Sequence, residues 1–119
     1  HISCDRLLLE QAVGNLLDNA LDFSVDGQSV TVTIEAAVDG VCVSVTDEGP
    51  GIPDFAAPRV FERFFSLPRP GTDLKSTGLG LPFVREVAGL HNGRVTLRPN
   101  EPSGVRAELL LPTSAPKTP

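Results

Sequence analysis

The chain has 119 residues, of which 40% are hydrophobic and 21% are charged, with 11 glycines and 11 prolines, and this composition predicts one soluble globular domain with a single core. The formal net charge of −5 argues against nucleic acid as a partner, and no apolar run reaches the about 18 residues that cross a bilayer. Cys4 and Cys42 lie far apart without the spacing of metal ligands, which favours reduced thiols in a cytoplasmic compartment.

The first predicted element is an amphipathic helix of about five turns in DRLLLEQAVGNLLDNALDFS, with Ser3 or Asp5 as its N-cap. Its apolar positions at helical spacing are Leu9, Val13, Leu16, Leu17, Ala20 and Leu21. The opposite side carries Asn15 and Asn19 one turn apart, with Phe23 a further turn along. Two asparagines alone indicate only a solvent-facing surface, so their meaning depends on the other motifs.

Two strands with alternating apolar residues follow the helix. Asp39-Gly40 between them is suited to a type I′ turn, which predicts an antiparallel hairpin. The apolar positions are Val30, Val32 and Ile34 in the first strand and Val41, Val43 and Val45 in the second. The next position in that phase is Asp47, so a carboxylate points where three valines point. Because an unpaired buried carboxylate is costly, we expect a specific partner for Asp47.

The C-terminal half predicts a second helix and a second hairpin. The helix runs from about Leu79 to His91, tolerates Pro82 in its first turn and stops at Asn92-Gly93. His91 is expected to be a structural residue at the helix end. Alternating strands flank the turn region PNEPSG, with apolar positions Val95, Leu97, Val105, Ala107, Leu109 and Leu111. The order of elements predicts an α+β fold, a two-layer sandwich with helices on one face of a mainly antiparallel sheet.

Two segments lack a helical or strand period. Ser66–Thr77 is predicted to be a long flexible connection of the kind that often forms a lid, and residues 113–119 to be a disordered tail. Positions 57–76 contain four cations and two anions, and this local positive charge could steer an anionic ligand, although a solvated loop is the favoured explanation of such charges alone. The cations are Arg59, Arg63, Arg69 and Lys75.

Three further segments are rich in glycine or phenylalanine: DEGPGI at Asp47–Ile52, FERFF at Phe61–Phe65 and STGLGL at Ser76–Leu81. The glycines permit a ligand to approach the backbone closely, and STGLGL opens a helix whose free N–H groups can receive a phosphate. Each signal is weak alone, since such glycines usually mark tight turns and FERFF is most simply a short amphipathic helix.

Taken in order, these segments and QAVGNLLDNALDFS resemble the four motifs of the catalytic ATP-binding domain of sensor histidine kinases, within the larger kinase, gyrase, heat-shock-chaperone and mismatch-repair ATPase group. QAVGNLLDNALDFS is similar to the N box, DEGPGI and STGLGL to the two glycine boxes, and FERFF to the F box. The resemblance spans residues 1–112 and implies the Bergerat-type ATP-binding fold. One type of bacterial sensor kinase is resembled more closely than the rest, in the stretches FERFFSLPRP and KSTGLGLPFVREVAGLHNG.

The resemblance implies a role for each matching residue. Asp47 would accept a hydrogen bond from the exocyclic amine of adenine, and Phe23 would pack on the base. Asn19 would ligate Mg²⁺ with support from Asn15, and these two asparagines would be the catalytic pair. Further residues expected to bind the nucleotide are Gly49, Gly51, Ile52, Phe61, Lys75, Thr77, Gly78, Leu79 and Gly80, the last four through backbone amides to the phosphates.

The implied function is the ATP-binding half of a histidine autokinase that phosphorylates a separate histidine-bearing dimerisation domain and, through it, serves a response regulator. The domain itself would be a monomer, and the whole protein a homodimer anchored in the bacterial inner membrane. Two alternatives remain open. An ATP hydrolase of this fold places a water-activating glutamate where this chain has Asn15, and a non-catalytic binding module is consistent with Asp22, where many family members have a phosphate-contacting lysine.

Overall fold

A computed structural model describes residues 5–24, 27–53, 55–62, 80–101 and 103–112. The predicted lid and the predicted tail lie outside these residues. In chain order the elements are α1 (Arg6–Phe23), β1 (Thr31–Ala37), β2 (Gly40–Thr46), a short 3₁₀-helix (Ala57–Arg59), α2 (Gly80–Leu90), β3 (Arg94–Pro99) and β4 (Val105–Pro112).

The four strands form one sheet in the order β1-β2-β4-β3, and each of the three described pairings is antiparallel. Both helices pack on one face of this sheet, which confirms the predicted α+β sandwich. The core between the layers comprises Ala12, Leu16, Ala20, Val43, Val45, Val84, Val87, Ala88, Val95, Ala107, Leu109 and Leu111. On β4 the core-facing residues alternate with Arg106, Glu108 and Leu110, as the period of a strand requires.

Helix α1 begins where the sequence predicts, because the Asp5 carboxylate accepts a hydrogen bond from the Leu8 amide at 3.1 Å. Its buried stripe is Ala12, Leu16 and Ala20, spaced four residues apart. Leu21 was predicted on the apolar face, and this prediction is wrong, since its side chain is 55% exposed. It follows Ala20 by one residue, which rotates it about 100° around the helix and away from the sheet.

The β1–β2 turn also differs from its prediction. Ala37 pairs with Gly40, so the two turn residues are Val38 and Asp39, one position earlier than Asp39-Gly40. Neither has a positive φ, and the turn is therefore not type I′. Gly40 has another role: a Cβ atom there would overlap the backbone carbonyl of Leu111 on β4. The glycine is needed for strand packing rather than for the turn.

Helix α2 ends as predicted, with Asn92 in the left-handed region at φ 61° and the Gly93 amide donating to the Ala88 carbonyl at 2.8 Å. His91 joins the ends of both helices. Its Nε2 accepts from the Asp5 amide at 2.8 Å, which places the ring proton on Nδ1, 2.8 Å from the Val87 carbonyl oxygen. Both ring nitrogens are thus engaged, in agreement with a structural role for this histidine.

The helices leave the β1 side of the sheet uncovered. Ile34 lies directly opposite Val43 and therefore on the same face, yet its side chain is 71% exposed whereas Val43 is buried. The register thus places Ile34 on the predicted face of β1, but burial does not alternate along this strand. The extent of helical cover over each strand is a tertiary property that the alternation does not encode.

The outer face of the sheet is polar and contains one unsatisfied group. Arg106 Nη2 donates to the Ser44 hydroxyl at 3.1 Å, and Glu108 lies between Arg98 at 2.9 Å and Arg106 at 3.1 Å. Thr96, opposite Glu108 on β3, has a buried Oγ1 without a hydrogen-bond partner among the described residues. A buried hydroxyl of this kind lowers the stability of the fold.

We expect Thr96→Val to raise the free energy of unfolding by about 1 kcal/mol, because valine keeps the branched shape and removes the unpaired hydroxyl. Urea denaturation measures this change. Thr96→Ser is the matched control, since serine retains the hydroxyl and loses the methyl group, and it should show no gain. A valine variant less stable than the parent would mean that the hydroxyl has a partner.

Candidate functional site

Asp47 lies directly after β2 and is only 4% exposed, in the phase of Val43 and Val45 as predicted. Its Oδ1 accepts hydrogen bonds from the backbone amides of Gly49 at 2.9 Å and Val105 at 3.2 Å. No hydrogen bond from the described residues reaches Oδ2. The described residues therefore satisfy one carboxylate oxygen of Asp47 and leave the other available to a further donor.

Burial raises the pKa of the Asp47 carboxyl, and the two backbone hydrogen bonds from Gly49 and Val105 offset part of this rise. Desolvation disfavours the ionised form more than the two amides favour it. A ligand that donates an N–H to Oδ2 would add the stabilisation that the carboxylate lacks. The arrangement is thus suited to recognition of a donor such as an amino group.

The turn between β3 and β4 holds the backbone around Asp47, which sequence reasoning did not anticipate. Asn100 Nδ2 donates to the Asp47 carbonyl at 3.1 Å and to the Ser103 carbonyl at 3.0 Å. The Ser103 hydroxyl donates to the Glu48 carbonyl at 3.0 Å. Gly104 has φ +102°, and a Cβ atom there would overlap the Asp47 carbonyl. The turn residues of PNEPSG were visible in the sequence, but their contact with Asp47 spans more than fifty residues and has no local signal.

Helix α1 contacts both glycine boxes. Asn15 Nδ2 donates to the Gly80 carbonyl at 3.4 Å, and its Oδ1 accepts from Gln11 at 2.9 Å. At the C-terminal end of α1, a Cβ atom on Gly49 would overlap the Phe23 carbonyl. Two residues of the N box thus lie against the first and second glycine boxes, so three of the four motifs converge on one side of α1.

Asn19 lies on α1 between these two contacts and is half-buried. Within the described residues its side chain has no hydrogen-bond partner, and no cluster of three or more His, Cys, Asp or Glu side chains could enclose a metal ion. A cation at Asn19 would take most of its oxygen ligands from water and from a bound ligand. Mg²⁺ bound to phosphates has this coordination, so the residues present fit the ion.

A cavity of about 440 Å³ lies beside Asp47, between the first glycine box and the β3–β4 hairpin. Three residues of the predicted site line it: Gly51, Ile52 and Phe61. Val105 connects the cavity to Asp47, because it lines the wall while its amide donates to Oδ1. The other described residues of the predicted site do not line this cavity, and these are Asp47, Gly49, Gly80 and, on α1, Asn15, Asn19 and Phe23.

Phe61 lies in a turn that follows the 3₁₀-helix. A short amphipathic helix was predicted for FERFF, but only Phe61 and Glu62 of this motif are described, and neither is helical. The Arg85 guanidinium lies 5.6 Å from the centre of its ring, a cation–π distance that fixes the ring against α2. Of the second glycine box, Gly80 is described and begins α2. The predicted phosphate-binding residues Lys75, Thr77, Gly78 and Leu79 lie outside the described residues.

Neither of the two described helices combines the length and the apolar character that crossing a membrane requires. Cys42 has a free thiol, and Cys4 lies outside the described residues.

Comparison with known proteins gives one family for the whole fold. Residues 4–115 match the family model of the histidine kinase-, DNA gyrase B- and HSP90-like ATPases. The chain is 51% identical to the sensor protein CreC of Escherichia coli (strain K12) over 111 residues, which are 93% of this chain and 23% of that protein. The chain spans about a fifth of the length of the curated relatives it matches.

Solved structures agree with the sequence match. The mycobacterial sensor histidine kinase MprB superposes with a TM-score of 0.80 at 34% identity, covering 96% of this chain and 76% of that chain. Full-length ShkA in complex with AMPPNP superposes with a TM-score of 0.73 at 31% identity, covering 91% of this chain and 22% of that chain. The four motifs, the sandwich fold and these matches show that the chain belongs to the histidine kinase-, DNA gyrase B- and HSP90-like ATPase family, in the form found in sensor kinases.

Proposed function

We propose that this domain, residues 1–112, binds Mg-ATP and donates the γ-phosphoryl group to a histidine on a separate dimerisation domain of a two-component sensor kinase. The observation that carries the proposal is the buried Asp47 carboxylate, whose two internal hydrogen bonds both reach Oδ1. Support also comes from the relatives, which are sensor kinases, and from the ShkA structure with AMPPNP, a nucleotide that contains adenine.

Asp47 would select the base. Its Oδ2 would accept a hydrogen bond from the exocyclic amine of adenine, whereas guanine presents a carbonyl oxygen at that place and would leave two acceptors facing each other. Phe23, Gly51, Ile52 and Phe61 would contact the nucleotide, since the Phe23 carbonyl lies against Gly49 and the other three line the cavity that Val105 shares.

The phosphates would lie at the N-terminus of α2. Gly80 begins this helix next to Asn15, so the free amides and the helix dipole are oriented towards an anion at the polar side of α1. We assign further phosphate contacts to Gly78, Leu79, Thr77 and Lys75 from their place in the second glycine box and the segment before it.

Asn19 would be the protein ligand of Mg²⁺, with Asn15 supporting it through the water shell of the ion. When bound, the ion would neutralise phosphate charge in the transition state. The two asparagines would orient the triphosphate, while Gln11 holds the Asn15 amide in place by its hydrogen bond to Oδ1.

The histidine-bearing domain and a response regulator would be the partners, with the parent protein a homodimer anchored in the inner membrane and this domain on its cytoplasmic side. A hydrolase is disfavoured because the Asn15 amide donates to Gly80 and accepts from Gln11, and an amide is not a general base. Asp22 is the one feature that favours a non-catalytic module, since a carboxylate near the phosphates would weaken their binding.

Transfer of labelled γ-phosphate tests the proposal. We expect the isolated domain to bind Mg-ATP, to hydrolyse it very slowly and not to label itself, because it holds the donor without an acceptor in line. His91 should stay unlabelled, since both of its ring nitrogens are hydrogen-bonded. Adding the histidine-bearing domain in trans should produce an acid-labile, base-stable phosphohistidine on that partner.

The alternatives give different results in the same mixtures. A binding module would show no transfer even with the partner present. A hydrolase would release phosphate without the partner, and loss of that multiple-turnover release in Asn15→Ala would overturn the kinase assignment.

A further inference from the structure

We infer that Asn100 is a positioning residue that sets the orientation of Asp47, so that the β3–β4 turn determines how strongly the site selects an exocyclic amine. This inference rests on the proposed function, because it concerns the same carboxylate. Asn100 lies outside the four motifs and contacts Asp47 from a distant part of the chain.

Asp47 is held at three of its groups by Asn100 of the turn and by Val105, the first residue of β4. Its amide donates to the Val105 carbonyl at 2.9 Å, its carbonyl accepts from Asn100 Nδ2 at 3.1 Å, and its Oδ1 accepts from the Val105 amide at 3.2 Å. The paired register of β2 and β4 ends one residue earlier, at Thr46 and Arg106. Asp47 therefore takes its position from the turn as well as from the strand that precedes it.

Asn100 is the link that fixes the turn itself. Its amide group donates to both the Asp47 and the Ser103 carbonyls, and its backbone amide donates to the Gly104 carbonyl at 3.0 Å. The two N–H donors on the Asn100 amide nitrogen allow it to hold both carbonyls at once. Without the Asn100 side chain, the turn would keep the backbone hydrogen bond from Asn100 to Gly104 but lose the hydrogen bond to the Asp47 carbonyl.

Loss of the Asn100 contact would change the position of Asp47 Oδ2. Two amides fix Oδ1, so a small rotation of the Asp47 backbone moves Oδ2 relative to a bound base. Hydrogen-bond strength falls steeply with angle and distance, whereas the contacts of the phosphates at α2 do not depend on this rotation. Loss of the Asn100 amide should therefore weaken recognition of the amine selectively.

The test compares ADP with purine riboside diphosphate, which lacks the exocyclic amine. The wild-type domain should prefer ADP by about tenfold, the contribution of one hydrogen bond to a charged acceptor. In Asn100→Ala this preference should shrink towards unity through weaker ADP binding, with the affinity for purine riboside diphosphate little changed. Isothermal titration calorimetry measures both affinities, and thermal melting reports the fold.

A merely structural role for Asn100 would lower both affinities by the same factor and leave the ratio intact, which would overturn the inference. Ser103→Ala is the matched control, since it removes the bond to the Glu48 carbonyl and spares the Asp47 contact, and its ratio should equal that of the wild type. If Asn100→Ala does not fold, Asn100→Leu, which keeps a similar side-chain length and has no donor, gives the same comparison. A wild-type domain without any preference for ADP would instead contradict the proposed function itself.

Discussion

Asp47→Asn is expected to abolish binding of ADP and ATP while the domain stays folded. Asparagine can keep its Oδ1 as the acceptor for the Gly49 and Val105 amides, so the internal hydrogen bonds survive. The other position then becomes an NH₂ group, which faces the adenine amine donor to donor. An unpaired donor pair of this kind costs about 1–3 kcal/mol or more, and calorimetric affinity for ADP equal to that of the wild type would contradict the assignment of Asp47.

The stability of this variant separates a binding defect from a folding defect. Because burial raises the pKa of Asp47, the folded state binds its proton more tightly than the unfolded state does. The stability contributed by the protonated carboxyl is present below the unfolded pKa and is lost as the pH rises through the folded pKa. At neutral pH Asp47→Asn should therefore melt at the same temperature as the wild type or higher, and the difference should disappear in acid.

The same shift has a consequence for the ligand. Nucleotide affinity should fall as the pH decreases through the raised pKa of Asp47, at a higher pH than an ordinary aspartate would give, because the protonated carboxyl no longer offers an ionised acceptor. The burial of Asp47 thus lowers the stability of the folded domain at neutral pH but provides the acceptor for the adenine amine.

Local pattern was sufficient to predict most of the fold. The period of two in β2 placed Asp47 on the buried face, the helical spacing in α1 placed Leu16 in the core, and Asp5 and Asn92 marked helix ends correctly. Each of these features is decided by neighbours within one turn or one strand, where propensity and alternation act directly.

The errors have a common physical cause, which is contact between distant segments. Gly40 looks like a turn glycine in the sequence, but its lack of a side chain is required by Leu111 on the neighbouring strand. Leu21 fits the apolar period, but only the fold decides which side of α1 meets the sheet, and Leu21 lies about 100° around the helix from the buried Ala20. Asn100 looks like a loop residue until the fold brings it to the Asp47 carbonyl.

The candidate site was predicted through the order of its motifs rather than through any one of them. The structure brings Asn15 to Gly80 and Phe23 to Gly49, contacts that no local pattern encodes. The roles of these residues stay predictions, since they concern a ligand and a metal ion that act only when bound.

Asn19→Ala is expected to remove the Mg²⁺ dependence of ATP binding and of phosphotransfer while sparing most of the contribution of adenine. Asn19 lies on the α1 face between the contacts to the two glycine boxes, and its amide has no partner among the described residues to compensate for its removal. The metal acts on the phosphates, whereas Asp47 acts on the base, so the two effects should separate.

The measurement is ATP affinity and phosphotransfer rate across a Mg²⁺ titration. Alanine is a better helix former than asparagine, so α1 should not lose stability, and thermal melting checks this. Asp18→Ala is the matched control, because Asp18 is the exposed neighbour on the same helix and should leave the Mg²⁺ response intact. ADP measured without Mg²⁺ should bind the Asn19→Ala domain about as well as the wild type, since that affinity does not involve the metal ion. If ATP binding and phosphotransfer kept their full response to Mg²⁺ in Asn19→Ala, Asn19 would not be the metal ligand, and the N-box assignment of α1 would be wrong.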